Sequence, residues 1–246
     1  MYINDITFDV KDSGIDLYAD DSTLYSYGKN KIDIQQTLQK DLNTVTTWCL
    51  NNNMNINPKK TTCMLIGPKH KLKNDHNLYL NIGEESIQNV TDQKLLGVII
   101  DSTLSWETQI KSVCKKVNAK IALFKRLSFY LNHEMKIMFY NAYILPSLEY
   151  CCVVWGENKR SHVKQLTMLQ KRAAKLVISS RLNTHENIFQ KLGWLNFESR
   201  CKYHTSVLVY KCLHDEVPQY LKDLLSFSTN KRYNLRSVSK NGYYPS

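Results

Sequence analysis

The chain contains no run of about 18 uncharged apolar residues, so no membrane-spanning helix is expected. It contains no Cys-x-x-Cys pair, the usual core of a structural zinc site. Its opening, MYINDITFDVKDSG, lacks the basic start and apolar stretch of a secretory signal. Seven cysteines, an odd number without even spacing, point to reduced thiols. An intracellular protein is therefore expected, with nucleus and cytoplasm both open. Internal repeats and long low-complexity segments are missing too. Acidic residues are scarce in one part only. Residues 106–246 carry 23 Lys and Arg against nine Asp and Glu, whereas residues 1–105 carry ten against thirteen. The net charge of +11 thus belongs entirely to the second part. This asymmetry suggests a metal or chemistry region joined to a polyanion-binding region. With 43% hydrophobic and 22% charged residues in 246, the chain can bury a real core, as one large domain or two small ones.

One short stretch resists a bland reading. In IDLYADDSTLY, residues 15–25, two adjacent aspartates interrupt an apolar and aromatic run. Ile15, Leu17 and Ala19 alternate with Asp16, Tyr18 and Asp20, the period of a half-buried strand. STLYSYG then reads as the returning strand. The spacing predicts a hairpin over 15–27 with Asp20 and Asp21 at its tip, and with Tyr18 and Asp20 on one face. Two like charges there form either a solvated turn or a grip on something strongly positive. A helix follows over about 31–51, where Ile34, Leu38, Leu42, Val45 and Cys49 recur at spacings of three and four. Asn51-Asn52-Asn53 ends it, since Asn tolerates the left-handed conformation. Strands are expected at 61–67, 78–82 and 94–100, and a polar loop at 68–77.

From Trp106 the pattern becomes helical. Ile110, Val113, Val117, Ile121, Phe124 and Leu127 mark one long helix. A second spans 133–154, with Pro146 set to kink or split it. A third, 161–178, places Val163, Leu166, Leu169, Ala173 and Leu176 on one face. Further helices are expected at 184–192, 197–214 and 217–226. The fold class is α+β: a sheet-and-helix region over 1–105, an all-α region over 106–227, and a basic tail over 228–246 expected to be disordered.

The order of these signals resembles that of a known family. A Tyr-Ala-Asp-Asp hairpin, an amphipathic helix, NINPKKTTCMLIG with its N-x-x-K-T at Asn57 to Thr61, and KLLGVIIDSTLSW leading into basic helices look like the reverse transcriptase of non-LTR (LINE-type) retrotransposons. The resemblance covers nearly the whole chain. It implies the end of a palm over 1–105, then a thumb and the helical segment beyond it. It also implies RNA-directed DNA polymerisation with two Mg²⁺ ions, an RNA template, a DNA primer, an RNA–DNA hybrid and dNTPs. Mg²⁺ takes hard oxygen ligands, and two carboxylates on one hairpin tip supply them while the cation offsets their repulsion.

By the same resemblance Asp20 and Asp21 are metal ligands and catalytic. Lys60 lies near the incoming nucleotide and protonates the pyrophosphate, and Tyr18 contacts the nucleotide. Leu96, Gly97 and Val98 form the turn that supports the primer end, where glycine permits close approach. Thumb helices grip phosphates, and Lys111, Lys115, Lys116, Lys120, Lys125 and Arg126 are dense enough to do so. The family's first catalytic aspartate sits on an earlier palm strand that these residues do not include. The expectation is therefore a polymerase fragment, inactive alone, with an incomplete Mg²⁺ site. The alternative is a non-catalytic nucleic-acid-binding remnant. A zinc site at Cys201, His204, Cys212 and His214 is a weaker competitor, because Val207, Leu208 and Leu213 mark these positions as packed helix.

Overall fold

A computed structural model describes residues 3–72, 77–178, 188–223, 225–227 and 243–245. The chain is a mixture of helices and small sheets, and it divides into two compact units between residues 109 and 110.

The first unit opens with a single helical turn, α1 (Ile6–Asp9). Strands β1 (Gly14–Tyr18) and β2 (Asp21–Tyr25) then pair antiparallel, with Ile15 opposite Leu24 and Tyr18 opposite Asp21. Helix α2 (Lys31–Asn51) has the expected bounds. The Asn30 side chain caps its start by accepting the Ile32 N–H, and Asn53 beyond its end takes a left-handed φ of 57°. Small strands follow: β3 (Thr62–Cys63), β4 (Asn81–Ile82), β5 (Glu85–Ser86), β6 (Gln88–Asn89), β7 (Asp92–Leu95) and β8 (Val98–Asp101). β3 pairs parallel with β6, and β4–β5 and β7–β8 are antiparallel pairs. Leu42, Leu78, Leu80, Ile82 and Ile87 form the core here, and Leu24 of the first hairpin packs against it together with Leu38. That contact seats the hairpin on α2 and its neighbouring strands.

Several expected elements differ. The run 94–100 is a second hairpin, not one strand. It turns at Leu96 and Gly97, whose φ values of 44° and 90° are those of a tight two-residue hairpin turn. Of the run 61–67 only Thr62 and Cys63 are paired as a strand. The loop at 68–77 buries Leu72, which is 2% exposed, and residues 73–76 of that loop lie outside the described ones.

In the second unit the helices are α3 (Glu107–Leu127), which begins in the first unit, α4 (His133–Phe139), α5 (Leu145–Glu149), α6 (Cys152–Trp155), α7 (Arg160–Ile178), α8 (Ile188–Leu192), α9 (Phe197–Leu213) and α10 (Gln219–Lys222). The buried stripe of α3 is the expected one through Phe124, but Leu127 is exposed. Between α4 and α5 the chain makes a π-helical turn, Tyr140–Ile144, in which Leu145 N–H donates to Tyr140 O, five residues back. Pro146 has no N–H to give and its ring would clash with the carbonyl four residues earlier, so the wider turn absorbs it. The break in the expected 133–154 helix comes later, at Cys151, with φ 52°. The buried face of α7 includes His162, Leu166, Leu169, Gln170, Ala173, Ala174 and Val177, rotated from the expected face, with Val163 and Leu176 half-buried. Gln170 turns inward because its Nε2 donates to Tyr140 Oη and to Leu195 O, both at 3.0 Å. The Tyr140 ring stacks on Trp194 at 4.0 Å, and burial pushes its phenol up to about 12.

The expected helix at 217–226 is only one turn long. After it, β9 (Leu225–Phe227) pairs with β10 (Tyr243–Pro245), so the second unit is not wholly helical. The tail between them, 228–242, and the first part of the helix expected at 184–192 lie outside the described residues. Among the described residues no helix is long and apolar enough to cross a membrane.

Candidate functional site

The β1–β2 turn is two residues long, Ala19-Asp20. Ala19 adopts φ 54°, the left-handed value that two-residue hairpins demand at their first turn position. Asp20 therefore occupies the turn itself, and Asp21 begins the returning strand. Tyr18 and Asp21 lie directly opposite each other and so share one face of the ribbon. The expected pairing of Tyr18 with Asp20 on that face is corrected by this register. All three side chains are exposed, and neither carboxylate accepts a hydrogen bond among the described residues.

What holds this tip in place was not expected from the sequence. Asp41, on α2, is 2% exposed, and its Oδ2 accepts the backbone N–H of Asp12 at 3.1 Å and of Ser13 at 2.6 Å. The residue after Ser13 starts β1. Thus α2 carries both the apolar contact to Leu24 and the polar anchor for the hairpin's entry. On the same helix Gln35 and Gln39 accept the N–H groups of Tyr79 and Asn81, each through Oε1, tying the β4 region to α2.

The remaining sequence-predicted residues sit on separate elements. Lys60 is exposed in a turn organised by Asn57, whose carbonyl accepts the N–H of Lys60 and of Thr61, each at 3.1 Å. Leu96 and Gly97 form the exposed tip of the second hairpin. Val98 departs from the expectation of a primer contact, since its side chain is 8% exposed and faces the interior. At the end of this hairpin Asp101, the last residue of β8, gathers four donors. Its Oδ1 accepts from Thr103 N, Thr103 Oγ1 and Ser105 N, and its Oδ2 accepts from Trp106 N at 2.6 Å. Burial works to raise the Asp101 carboxyl, but these hydrogen bonds outweigh it and hold it below the usual carboxylate range.

On α3, Lys111, Lys115, Lys116, Lys125 and Arg126 are exposed. Lys120 is different. Its Nζ donates to Tyr143 O and Ser147 Oγ, both at 2.6 Å, and lies 4.3 Å from the centre of the Tyr143 ring. Burial, helped by the nearby Lys116 charge, lowers its ammonium below the ordinary lysine value. Lys120 braces α3 against α5 and its approach, which removes it from the set of cations free to meet phosphate.

The four residues weighed for zinc have other occupations. Cys201 is wholly buried, and His204 Nε2 is 3.2 Å from Glu149 Oε1, which also pairs with Arg200 at 2.6 Å. Cys212 Sγ points to Leu221 O, and His214 packs on the Tyr210 ring. No group of three or more His, Cys, Asp or Glu side chains converges among the described residues, and all seven cysteines are free thiols.

With this geometry in view, the comparisons with known proteins are consistent with one another. Residues 1–100 match the family model described as reverse transcriptase (RNA-dependent DNA polymerase). The chain is 23% identical over 165 residues to a probable RNA-directed DNA polymerase from transposon X-element of Drosophila melanogaster, covering 65% of this chain and 18% of that protein. It is 26% identical over 160 residues to the RNA-directed DNA polymerase from mobile element jockey of Drosophila funebris, covering 62% and 17%. The jockey polymerase of Drosophila melanogaster is 25% identical over 175 residues, covering 69% and 18%. The chain thus spans less than a fifth of the length of these relatives. No solved structure matches. The chain is thus similar to RNA-directed DNA polymerases of mobile elements, and its first 100 residues to the reverse transcriptase family model.

Proposed function

We propose that these residues are the later palm, thumb and adjoining helical segment of a retrotransposon RNA-directed DNA polymerase. The observation that carries this reading is the hairpin tip: two adjacent, exposed carboxylates, Asp20 and Asp21, with no protein partner among the described residues, on a turn anchored from α2. Their donor chemistry fits Mg²⁺, which takes about six hard oxygens. Bound there, Mg²⁺ would offset charge on the transferring phosphoryl group. Asp20 and Asp21 supply part of that ligand set only, since no third acidic or imidazole side chain joins them among the described residues. The chain as given therefore binds the ion weakly and does not extend a primer by itself. Tyr18, beside Asp21, presents a ring to the nucleotide, and Lys60 offers a proton to departing pyrophosphate. Leu96 and Gly97 bring backbone close to the primer end. The exposed cations of α3 meet the phosphates of an RNA–DNA hybrid.

The test joins this chain behind a reverse-transcriptase segment that provides the remaining palm strand and its aspartate. Primer extension with Mg²⁺ is expected, and Asp20→Asn should abolish it while the circular dichroism spectrum is unchanged. Full activity in that variant overturns the catalytic role. The cation row on α3 favours one further reading, nucleic-acid binding without catalysis. Hybrid binding that persists while extension fails in the joined protein would select it.

A further inference from the structure

The corner between α3 and α4 displays Phe129 and Tyr130, which are 89% and 80% exposed. Their rings stand edge to face, with centroids 5.5 Å apart and planes at 86°. Each such ring can remove on the order of 150–250 Å² from water when covered, so leaving both bare forgoes much burial. The corner itself is well braced. Ser128 N–H donates to Phe124 O at 2.7 Å, Ser128 Oγ to Lys125 O at 2.8 Å, and Tyr130 N–H to Leu127 O at 2.9 Å. The Asn132 side chain then caps α4 by accepting the Met135 N–H at 2.9 Å. The rings are thus carried on hydrogen-bonded backbone, and little backbone ordering remains to be done on binding.

The approach to the corner is cationic, and Glu134, four residues beyond Tyr130, is the first acid after it. No aspartate or glutamate occurs between Glu107 and Glu134, while six Lys and Arg do. Lys125 and Arg126, both exposed, precede the rings by three to five residues. An apolar protein surface satisfies the rings but leaves these cations unmatched. A polyanion whose monomers carry aromatic faces satisfies both.

We propose that this corner binds unpaired nucleotides of a single strand, one base stacking on Phe129 or Tyr130 while Lys125 and Arg126 hold the flanking phosphates. The near-perpendicular rings cannot both lie flat on one base, so the site takes a single stacked base and not a sandwiched one. This rests on the nucleic-acid reading of the helical unit and adds its ligand class, because stacking on an exposed ring needs a base whose face is unpaired and free.

The experiment uses the full 246-residue chain and two fluorescent probes of equal length, a single strand carrying 2-aminopurine and a blunt RNA–DNA hybrid. Phe129→Ala with Tyr130→Ala should weaken single-strand binding about fivefold or more and leave the blunt hybrid within about twofold. It should also abolish the change in 2-aminopurine emission, while Phe129→Trp preserves it. Both rings are exposed, so the circular dichroism spectrum should not change. Equal losses on both probes, or no loss on the single strand, overturn the stacking site. Hybrid binding without single-strand binding overturns it and spares the broader reading, whereas no binding of either probe at low salt overturns both. If the double variant alters only self-association in sedimentation, the corner is a protein contact and the proposal fails.

Discussion

The Asp41 carboxylate accepts the Ser13 N–H at 2.6 Å, one residue before the strand that leads to the Asp20-Asp21 tip begins. A charged acceptor at 2% exposure is tolerable only because two backbone donors face it. Removing it strands those two N–H groups at the hairpin's entry. Asp41→Ala should therefore destabilise the chain by about 1–3 kcal/mol in urea unfolding. Asp41→Asn, which can present its one carbonyl oxygen to the same donors, should lose less than half of that. The neighbouring Lys40–Asp12 ion pair lies at the surface, and Lys40→Ala should be close to neutral. Equal effects from the Asp41→Ala and Lys40→Ala substitutions would show that the anchor does not hold the hairpin.

Asp101 should make stability depend on pH in a defined direction. Its folded carboxyl lies below the ordinary carboxylate value of about 3.9, because the four hydrogen bonds favour the charged form over the opposing effect of burial. A depressed folded value means that the contribution is complete above the unfolded value and is lost as pH falls through it towards the folded one. Asp101→Asn should cost about 1–3 kcal/mol at pH 7, since an amide NH₂ would confront one of the donors. The gap between wild type and variant should narrow below about pH 4. A gap that stays constant from pH 7 to pH 3 would mean that the carboxylate form is not what caps this turn.

Much of this architecture is legible in the sequence where periodicity is long and local. Helix α2, helix α3 and the first hairpin follow from their patterns, because α3 buries one continuous stripe and α2 and the hairpin each turn a half-buried apolar face inward. The second hairpin is hidden in KLLGVII, because an apolar run shows no alternation and Leu96 takes a positive φ that leucine rarely adopts. Asp41 and Lys120 are hidden for another reason. Their side-chain types suggest solvent, but their partners lie 28 to 29 and 23 to 27 residues away along the chain. Gln170 likewise turns a polar residue into the buried face of α7 through bonds to Tyr140 and Leu195. In each case a long-range hydrogen bond decides a position that local pattern assigns to the surface.

The tip of the first hairpin carries backbone strain that can be relieved. Ala19 sits at φ 54°, where a side chain costs about 1–2 kcal/mol. Glycine removes that cost but adds roughly 0.5–1 kcal/mol of chain entropy in the unfolded state. Ala19→Gly should therefore raise stability slightly, by under about 1 kcal/mol, and Ala19→Val should lower it because branching at Cβ worsens the clash. Thermal unfolding of the two variants against wild type should give this order. A destabilising Ala19→Gly would mean that the turn does not hold a left-handed residue at position 19.

The cations of α3 divide into two kinds, and substitution should separate them. Lys115 and Lys116 are exposed, whereas the Lys120 ammonium is committed to Tyr143 O, Ser147 Oγ and the Tyr143 ring. Each phosphate contact releases about one condensed counterion, so log affinity falls with log salt in proportion to the number of contacts. Lys115→Glu and Lys116→Glu should each flatten that slope by about one unit for a B-DNA duplex. Lys120→Gln should leave the slope unchanged and instead lower stability by about 0.5–1.5 kcal/mol, since the Tyr143 carbonyl and the half-buried Ser147 hydroxyl lose a charged donor. A salt titration by fluorescence anisotropy, paired with urea unfolding of the same proteins, measures both quantities. A slope that flattens for Lys120→Gln as much as for its neighbours would return Lys120 to the phosphate-binding set, and unchanged slopes for all three would leave α3 as a solvated face.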